Sequence, residues 1–139
     1  MNDSFRLARF VEAQEPVYDS ACQELRQGLK RGHWMWFIFP QIAGLGASSM
    51  AARYAIASRE EASAYLDHAV LGARLRECTQ LVNLVAGRTA RQIFGDIDAM
   101  KFRSSITLFA QVAGGDSVYR QALNKYFDGQ PDPLTLGKL

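Results

Sequence analysis

Apolar residues return along most of this chain at intervals of three and four, the period that lines one face of an α-helix. The clearest case is Leu71, Leu75, Cys78, Val82 and Val85, with Gly87 to close it. Before it, Leu7, Phe10, Val11 and Ala13 predict a first helix that Asp3 or Ser4 can cap and Pro16 ends. Val17, Ala21, Cys22, Leu25 and Leu29 carry the period on to Gly28 and Gly32. Ser48 or Ser49 opens a helix bearing Met50, Tyr54 and Ile56. Ser58-Arg59-Glu60-Glu61 then has the form of a capping box in front of Ala62, Tyr65 and Leu66. Thr89-Ala90-Arg91-Gln92 repeats that form before Ile93-Phe94, and Gly95 stops the segment. Asp96 or Asp98 starts a longer helix that runs to Gly114-Gly115. Asp116 or Ser117 starts the last one, with Val118, Ala122, Leu123, Tyr126 and Phe127 inward. Beyond Gly129, Pro131 and Pro133 predict irregular chain.

No segment alternates apolar and polar residues long enough to argue for a sheet. The pattern therefore predicts an all-α fold, a compact single domain over residues 1–139 built from about seven short helices. One stretch escapes the period. Residues 34–39, Trp34-Met35-Trp36-Phe37-Ile38-Phe39, are continuously apolar and hold both tryptophans. His33 precedes them, and Pro40-Gln41 with Gly44 and Gly46 follows. Such a run must pack in the interior, while the imidazole, the carboxamide and the glycines beside it suit a ligand, so the stretch reads as the floor of a pocket. Pro40 pushes Phe39 away from helical angles; periodicity leaves open whether residues 34–39 are a helical turn or extended.

Composition narrows the class. At 139 residues, 48% apolar and 22% charged, the chain can bury one ordinary globular core. No apolar run approaches the ~20 residues of a membrane span. The N-terminus lacks the pattern of a secretory signal, so no membrane association and a cytoplasmic location are expected. The net charge of +2 comes from 16 basic and 14 acidic side chains, not from a basic stripe, which argues against nucleic acid as a partner. Cys22 and Cys78 sit among apolar residues at helical spacing and read as small buried hydrophobes, with a redox or metal role the lesser alternative. With two histidines besides, no metal site and no cofactor are expected.

The apolar run with its flanks resembles a bacterial family of unknown function, DUF1810. The stretch His33-Trp34-Met35-Trp36-Phe37-Ile38-Phe39-Pro40-Gln41 with Gly44-Leu45-Gly46 carries the likeness. It extends to Phe10, Ala13-Gln14 and Tyr18, and to Glu61-Ala62, Tyr65-Leu66, His68, Leu71-Gly72 and Arg74-Leu75. Ile93-Phe94-Gly95, Asp98, Lys101, Ser104-Ser105 and Thr107-Leu108-Phe109 complete it. Where that family has a proline after His68, this chain has Ala69, which touches only the local turn. Members sometimes carry the label calpastatin, to which no residue here lends support. The resemblance implies a mostly helical fold and no particular activity.

Three polar groupings are candidates for chemistry. His33, beside the apolar run and close to Lys30 and Arg31, can act as an acid or base, or simply bond a backbone carbonyl. Gly44-Leu45-Gly46-Ala47-Ser48-Ser49 presents free N–H groups at a helix start, an arrangement that suits anions but equally a plain capped loop, and it lacks the Gly-Lys-Ser/Thr ending of a phosphate-binding loop. Asp98, Lys101 and Ser105 share one helical face, with Ser104 adjacent. There Lys101 would bind a phosphate or carboxylate while Asp98 orients it; the alternative is a surface ion pair. Arg74 and His68 belong to the same polar wall in this reading. Trp34 and Trp36 offer faces that can stack on a base, though core packing suits them better. Catalytic candidates are thus His33, Lys101 and Asp98, and ligand-binding candidates Trp34, Gln41, Gly44, Gly46, Ser48, Ser49, Arg74, Ser104 and Ser105. Two functions fit: a binder or enzyme of an anionic small molecule such as a nucleotide or an ADP-ribose-like compound, or a non-catalytic interaction or regulatory module. Protein partners are not legible.

Overall fold

The computed structural model describes residues 3–139, and among them every regular element is a helix. In chain order these are α1 (Ala8–Gln14), α2 (Tyr18–Gln27), α3 (Met35–Ile38), α4 (Ser49–Arg53), α5 (Arg59–Asp67), α6 (Leu71–Leu84), α7 (Ala90–Phe94), α8 (Asp96–Ala113), α9 (Val118–Phe127) and α10 (Pro133–Gly137). The fold is all-α, as the periodicity predicts. Among the described residues no helix is long and apolar enough to cross a membrane.

The caps follow local chemistry. Asp3 accepts from the N–H groups of Leu7 and Ala8 at 2.7 and 3.1 Å, and Ser48, Ser58 and Ser117 each accept from an N–H three residues on. Thr89 and Gln92 form a complete capping box. Glu61 does not: its carboxylate turns instead to the Ala57 N–H at 3.0 Å and to Arg9 at 3.0 Å. A long-range pair outcompetes the local one there.

Among the described residues there are ten helices rather than about seven, mainly because two segments without a clear period each fold a short one. Residues 35–38 form α3, which decides the open question of the apolar run: it is a helical turn, stopped by Pro40. A helical turn sends residues 34, 35, 38 and 39 to one side. Accordingly Trp34, Met35, Ile38 and Phe39 are buried, while Trp36 and Phe37 are only half-buried. The chain after Gly129, expected to be irregular, carries α10. Asp132 caps it and Pro133 occupies its first turn, a pairing of residue types that favours helix starts.

Helix α8 is the axis of the core. Phe102, Ile106 and Phe109 on it are fully buried. Phe39 meets Phe102 edge-on at 5.0 Å between ring centres, Phe94 stacks on Phe102 at 4.7 Å, and Tyr65 lies 5.3 Å from Phe109. The buried Gln14 side chain ties the layers together, donating to the Phe37 carbonyl at 2.7 Å and to the Tyr65 hydroxyl at 3.0 Å. Helices α5 and α6 approach so closely that a Cβ on Gly72 would lie 2.1 Å from the Leu66 carbonyl oxygen. Helix α10 is docked onto α8 by the buried Asp132 carboxylate, which accepts from Ser104 at 2.8 Å and Thr135 at 2.6 Å. The Asp132 N–H donates in turn to the Thr107 hydroxyl at 2.9 Å.

Two outcomes follow from this packing. Gly72→Ala places a methyl against backbone that cannot rotate away, so thermal or urea unfolding should show a loss of about 3 kcal/mol. For Asp132, burial works against ionisation, but the hydroxyls of Thr135 and Ser104 and the N–H groups of Leu134 and Thr135 outweigh it and hold the carboxyl below its ordinary range. A carboxyl lowered in the folded state stabilises the fold above its unfolded pKa of about 3.9, and that contribution is lost as pH falls through the folded value. Asp132→Asn should therefore melt lower than the parent at neutral pH, and the gap should narrow below about pH 4. A constant gap from pH 7 to pH 3 would show that the charge at Asp132 contributes nothing.

Candidate ligand groove

The site begins with a turn. After Gly28 ends α2 in a left-handed conformation, the chain must reverse to bring Trp34 into the core. One oxygen of Glu24 does this, accepting from the Arg31 N–H at 2.6 Å, the Gly32 N–H at 2.8 Å and the Trp34 indole N–H at 3.1 Å. Burial opposes the charge on Glu24, but these donors hold its carboxyl below the ordinary range. Gly32 has no side chain for a steric reason: a Cβ there would lie 2.8 Å from the Trp34 ring.

From this turn a charged bridge links the two tryptophans. The Lys30 ammonium sits 5.1 Å over the Trp34 ring, donates to the Gly32 carbonyl at 2.6 Å, and pairs with Asp98 at 2.8 Å. The other oxygen of Asp98 lies 3.6 Å from Lys101, whose ammonium is 4.6 Å from the centre of the Trp36 ring. Two lysines thus share one carboxylate, and each faces an indole. They are not equivalent. Lys30 is spent on contacts of hydrogen-bond length and is 8% exposed; Lys101, 25% exposed, stands beyond that length from Asp98 and keeps its donors.

Around Lys101 and Trp36 the surface is hollowed on both sides of the loop at residues 41–46. A hollow of about 290 Å³ lies between that loop and the chain at residues 51–55, lined by Trp36, Gln41, Gly44, Gly46 and Tyr54. The second, about 330 Å³, lies between the loop, α8 and α10, lined by Gln41, Leu45, Lys101, Ser104, Asp132 and Leu134. Gln41 and Gly46 border both, so the two hollows meet along one seam. The loop is pinned from behind by an isolated parallel bridge: the Ile56 N–H donates to the Gln41 carbonyl and the Ala43 N–H to the Ile56 carbonyl, each at 2.8 Å. Lys138 of the C-terminal segment comes to the same loop, its ammonium 3.1 Å from where a Cβ on Gly44 would stand. The groove therefore combines an aromatic face, the Lys101 and Lys138 cations, a carboxamide and a fixed backbone.

The fold gathers some of the sequence candidates and scatters others. Lys101, Gln41, Gly44, Gly46 and Ser104 border the groove, with Asp98 directly behind Lys101. Trp34 is buried at 1% exposure and offers no face to a ligand; Trp36 does. His33 is exposed and borders neither hollow. Ser105 is fully buried, its hydroxyl without a partner, because the inward side of α8 at that level is core. Ser48 caps α4 and Ser49 begins it; both are exposed and border neither hollow. Arg74 stands elsewhere, over the Tyr18 ring at 4.6 Å and paired with Glu15 at 3.0 Å. His68 accepts through Nδ1 from the N–H groups of Val70 and Leu71 at the start of α6, which leaves it structural. Sequence reasoning missed Tyr54, Ile97, Met100, Asp132 and Leu134. Only Asp132 carried a usable signal, the Asp-Pro pair of a helix start. A larger depression of about 620 Å³ between α1 and α5 is bordered by His68 with Asp3, Glu12 and Asp67, and the three carboxylates make its rim unsuited to an anion. Among the described residues no group of three acidic, histidine or cysteine side chains could hold a metal.

The crystal structure of the conserved hypothetical protein Rv1873 from Mycobacterium tuberculosis is similar at 54% identity and a TM-score of 0.97, covering 99% of this chain and 98% of that one. No curated protein matches. The family model described as protein of unknown function DUF1810 matches residues 4–139, and the chain belongs to that family.

Proposed function

We propose that the groove binds an anionic small molecule carrying a flat ring, of the kind a nucleotide or an ADP-ribose-like compound presents. The observation that supports this most is the Lys101 ammonium held against the half-buried Trp36 face with its donors still available. A phosphate or carboxylate can take those donors, and a ring can lie on the aromatic side of the seam. Gln41 can read a ring edge or a hydroxyl. The two hollows, about 290 and 330 Å³, together fall in the middle of the range of small-molecule sites, which suits a nucleotide-sized compound. The one hydroxyl set on a carboxylate there, Ser104 on Asp132, is buried, and that carboxylate is committed to docking α10 through Thr135 and Leu134, so binding is the activity proposed.

A second reading has one observation in its favour. Ile97, Met100 and Leu134 beside Lys101 are 74%, 58% and 70% exposed, more apolar surface than a purely polar ligand would need. In that reading the same groove docks a protein segment.

A thermal-shift screen against mononucleotides, sugar phosphates and nicotinamide dinucleotides separates these. A ligand at ~100 times its dissociation constant stabilises the native state by about 2.7 kcal/mol, a shift of several degrees in a domain of this size. Compounds that join a ring to a phosphate should produce it, with the ring alone and the phosphate alone falling short. Lys101→Met should melt within a few degrees of the parent and lose most of the shift. Trp36→Leu should weaken it by about tenfold in affinity, the loss of one stacking face. An undiminished shift in Lys101→Met would remove the anion site, and a screen in which no compound shifts the parent would favour the docking reading.

A further inference from the structure

Away from the groove, two cysteines far apart in sequence meet in the core. Cys22 on α2 and Cys78 on α6 are both free, and their sulfurs are 3.9 Å apart, within reach of van der Waals contact. A disulfide needs about 2.0 Å, so the two sulfurs must close by about 1.9 Å. We propose that Cys22 and Cys78 form a reversible intramolecular disulfide in the native fold, with a hydroperoxide as the oxidant, and that this bond locks α2 to α6. The inference is independent of the groove reading.

The surroundings assign different roles to the two thiols. Cys78 is fully buried and Cys22 is 3% exposed, on the side where the half-buried Tyr18 covers the pair. The contact with Cys78 outweighs burial and lowers the Cys22 thiol, while the same contact and burial raise Cys78; the Tyr18 hydroxyl beside the pair donates to Glu77 at 3.1 Å. Cys22 is thus the sulfur that is both reachable and more readily ionised. Its thiolate attacks one oxygen of the hydroperoxide; the O–O bond breaks, the other oxygen leaves as water or alcohol, and Cys22 becomes a sulfenic acid. The Cys78 sulfur then attacks the Cys22 sulfur, its proton leaving with the displaced hydroxide as water. Two thiols are oxidised, one peroxide bond is reduced, and no other reactant is required. Hydrogen peroxide is small enough to reach a sulfur that a larger oxidant could not. The lock would bear on the rest of the fold through α2, since Glu24 lies two residues beyond Cys22 and its carboxylate positions the Trp34 turn.

The experiment uses the full chain, reduced and then exposed to stoichiometric hydrogen peroxide, with intact mass measured after an acid quench. Expected is a monomer lighter by about 2 Da, with neither thiol open to alkylation in denaturant and full recovery on adding dithiothreitol. Because the bond closes a loop of some 56 residues, the oxidised form should melt several degrees above the reduced form. Cys78→Ala should stop at a Cys22 sulfenic acid that dimedone traps, and Cys22→Ala should leave Cys78 unmodified under the same exposure. Should either variant fail to fold, the parent's mass and melting temperature decide alone. The proposal is overturned by two thiols that stay free, by a gain of about 32 Da at Cys22, by a disulfide-linked dimer, or by an oxidised monomer that melts lower than the reduced one.

Discussion

A single carboxylate oxygen carries much of this architecture. Glu24 accepts from three N–H groups, two of the backbone and one of the Trp34 indole, at the point where the chain leaves α2 and turns into the apolar run. The turn leaves backbone donors that no helix pairs, at the edge of the core, and Glu24 takes them. With the donors satisfied, Trp34 can enter the core ring-first, and helical geometry then determines the rest of the run: Met35, Ile38 and Phe39 follow it inward and Trp36 is carried out to the surface. Without that turn, six consecutive apolar residues would have no preferred face.

The same turn brings Lys30 to Asp98. Lys30 is a nearly buried cation, and such a group is tolerated only when its charge and its donors are both matched. Asp98, the Gly32 carbonyl and the Trp34 face supply that match. Asp98 is thereby held in place by an interaction that has nothing to do with a ligand, and Lys101 inherits a fixed neighbour at a distance too long to consume its donors. A rigid support behind a less committed cation is what a binding group needs, because the cost of ordering it is met before the ligand arrives. Burial on one side of α8 and availability on the other are thus two ends of one charge arrangement.

The likeness to Rv1873 extends over nearly the full length of both chains. The fold alone assigns no chemistry. That has to come from the groove itself, where polar groups are few and placed at a seam, and from the buried thiol pair, which lies outside it. The two features sit on different elements, the groove on the 41–46 loop with α8 and α10, the thiols on α2 and α6, and share only the turn after α2.

The amino-acid sequence by itself determined the all-helical class and most helix ends, because periodicity and capping are short-range: a serine or aspartate bonds an N–H three residues away wherever the segment finally lies. It also marked Lys101, Gln41, Gly44 and Gly46, each through residue type and local context. Tertiary structure alone decided which tryptophan faces the groove, since that depends on the turn angle at Trp34 and not on composition. It also left His33 on the surface, turned Ser105 into the core and drew Arg74 away to Tyr18 and Glu15. Those outcomes come from packing between elements, and no spacing within one helix encodes them. The pairings of Lys30 with Asp98, of Cys22 with Cys78 and of Asp132 with Ser104 join residues far apart in the chain. They exist only because apolar faces on different helices must be buried together, and that burial chooses which polar groups meet.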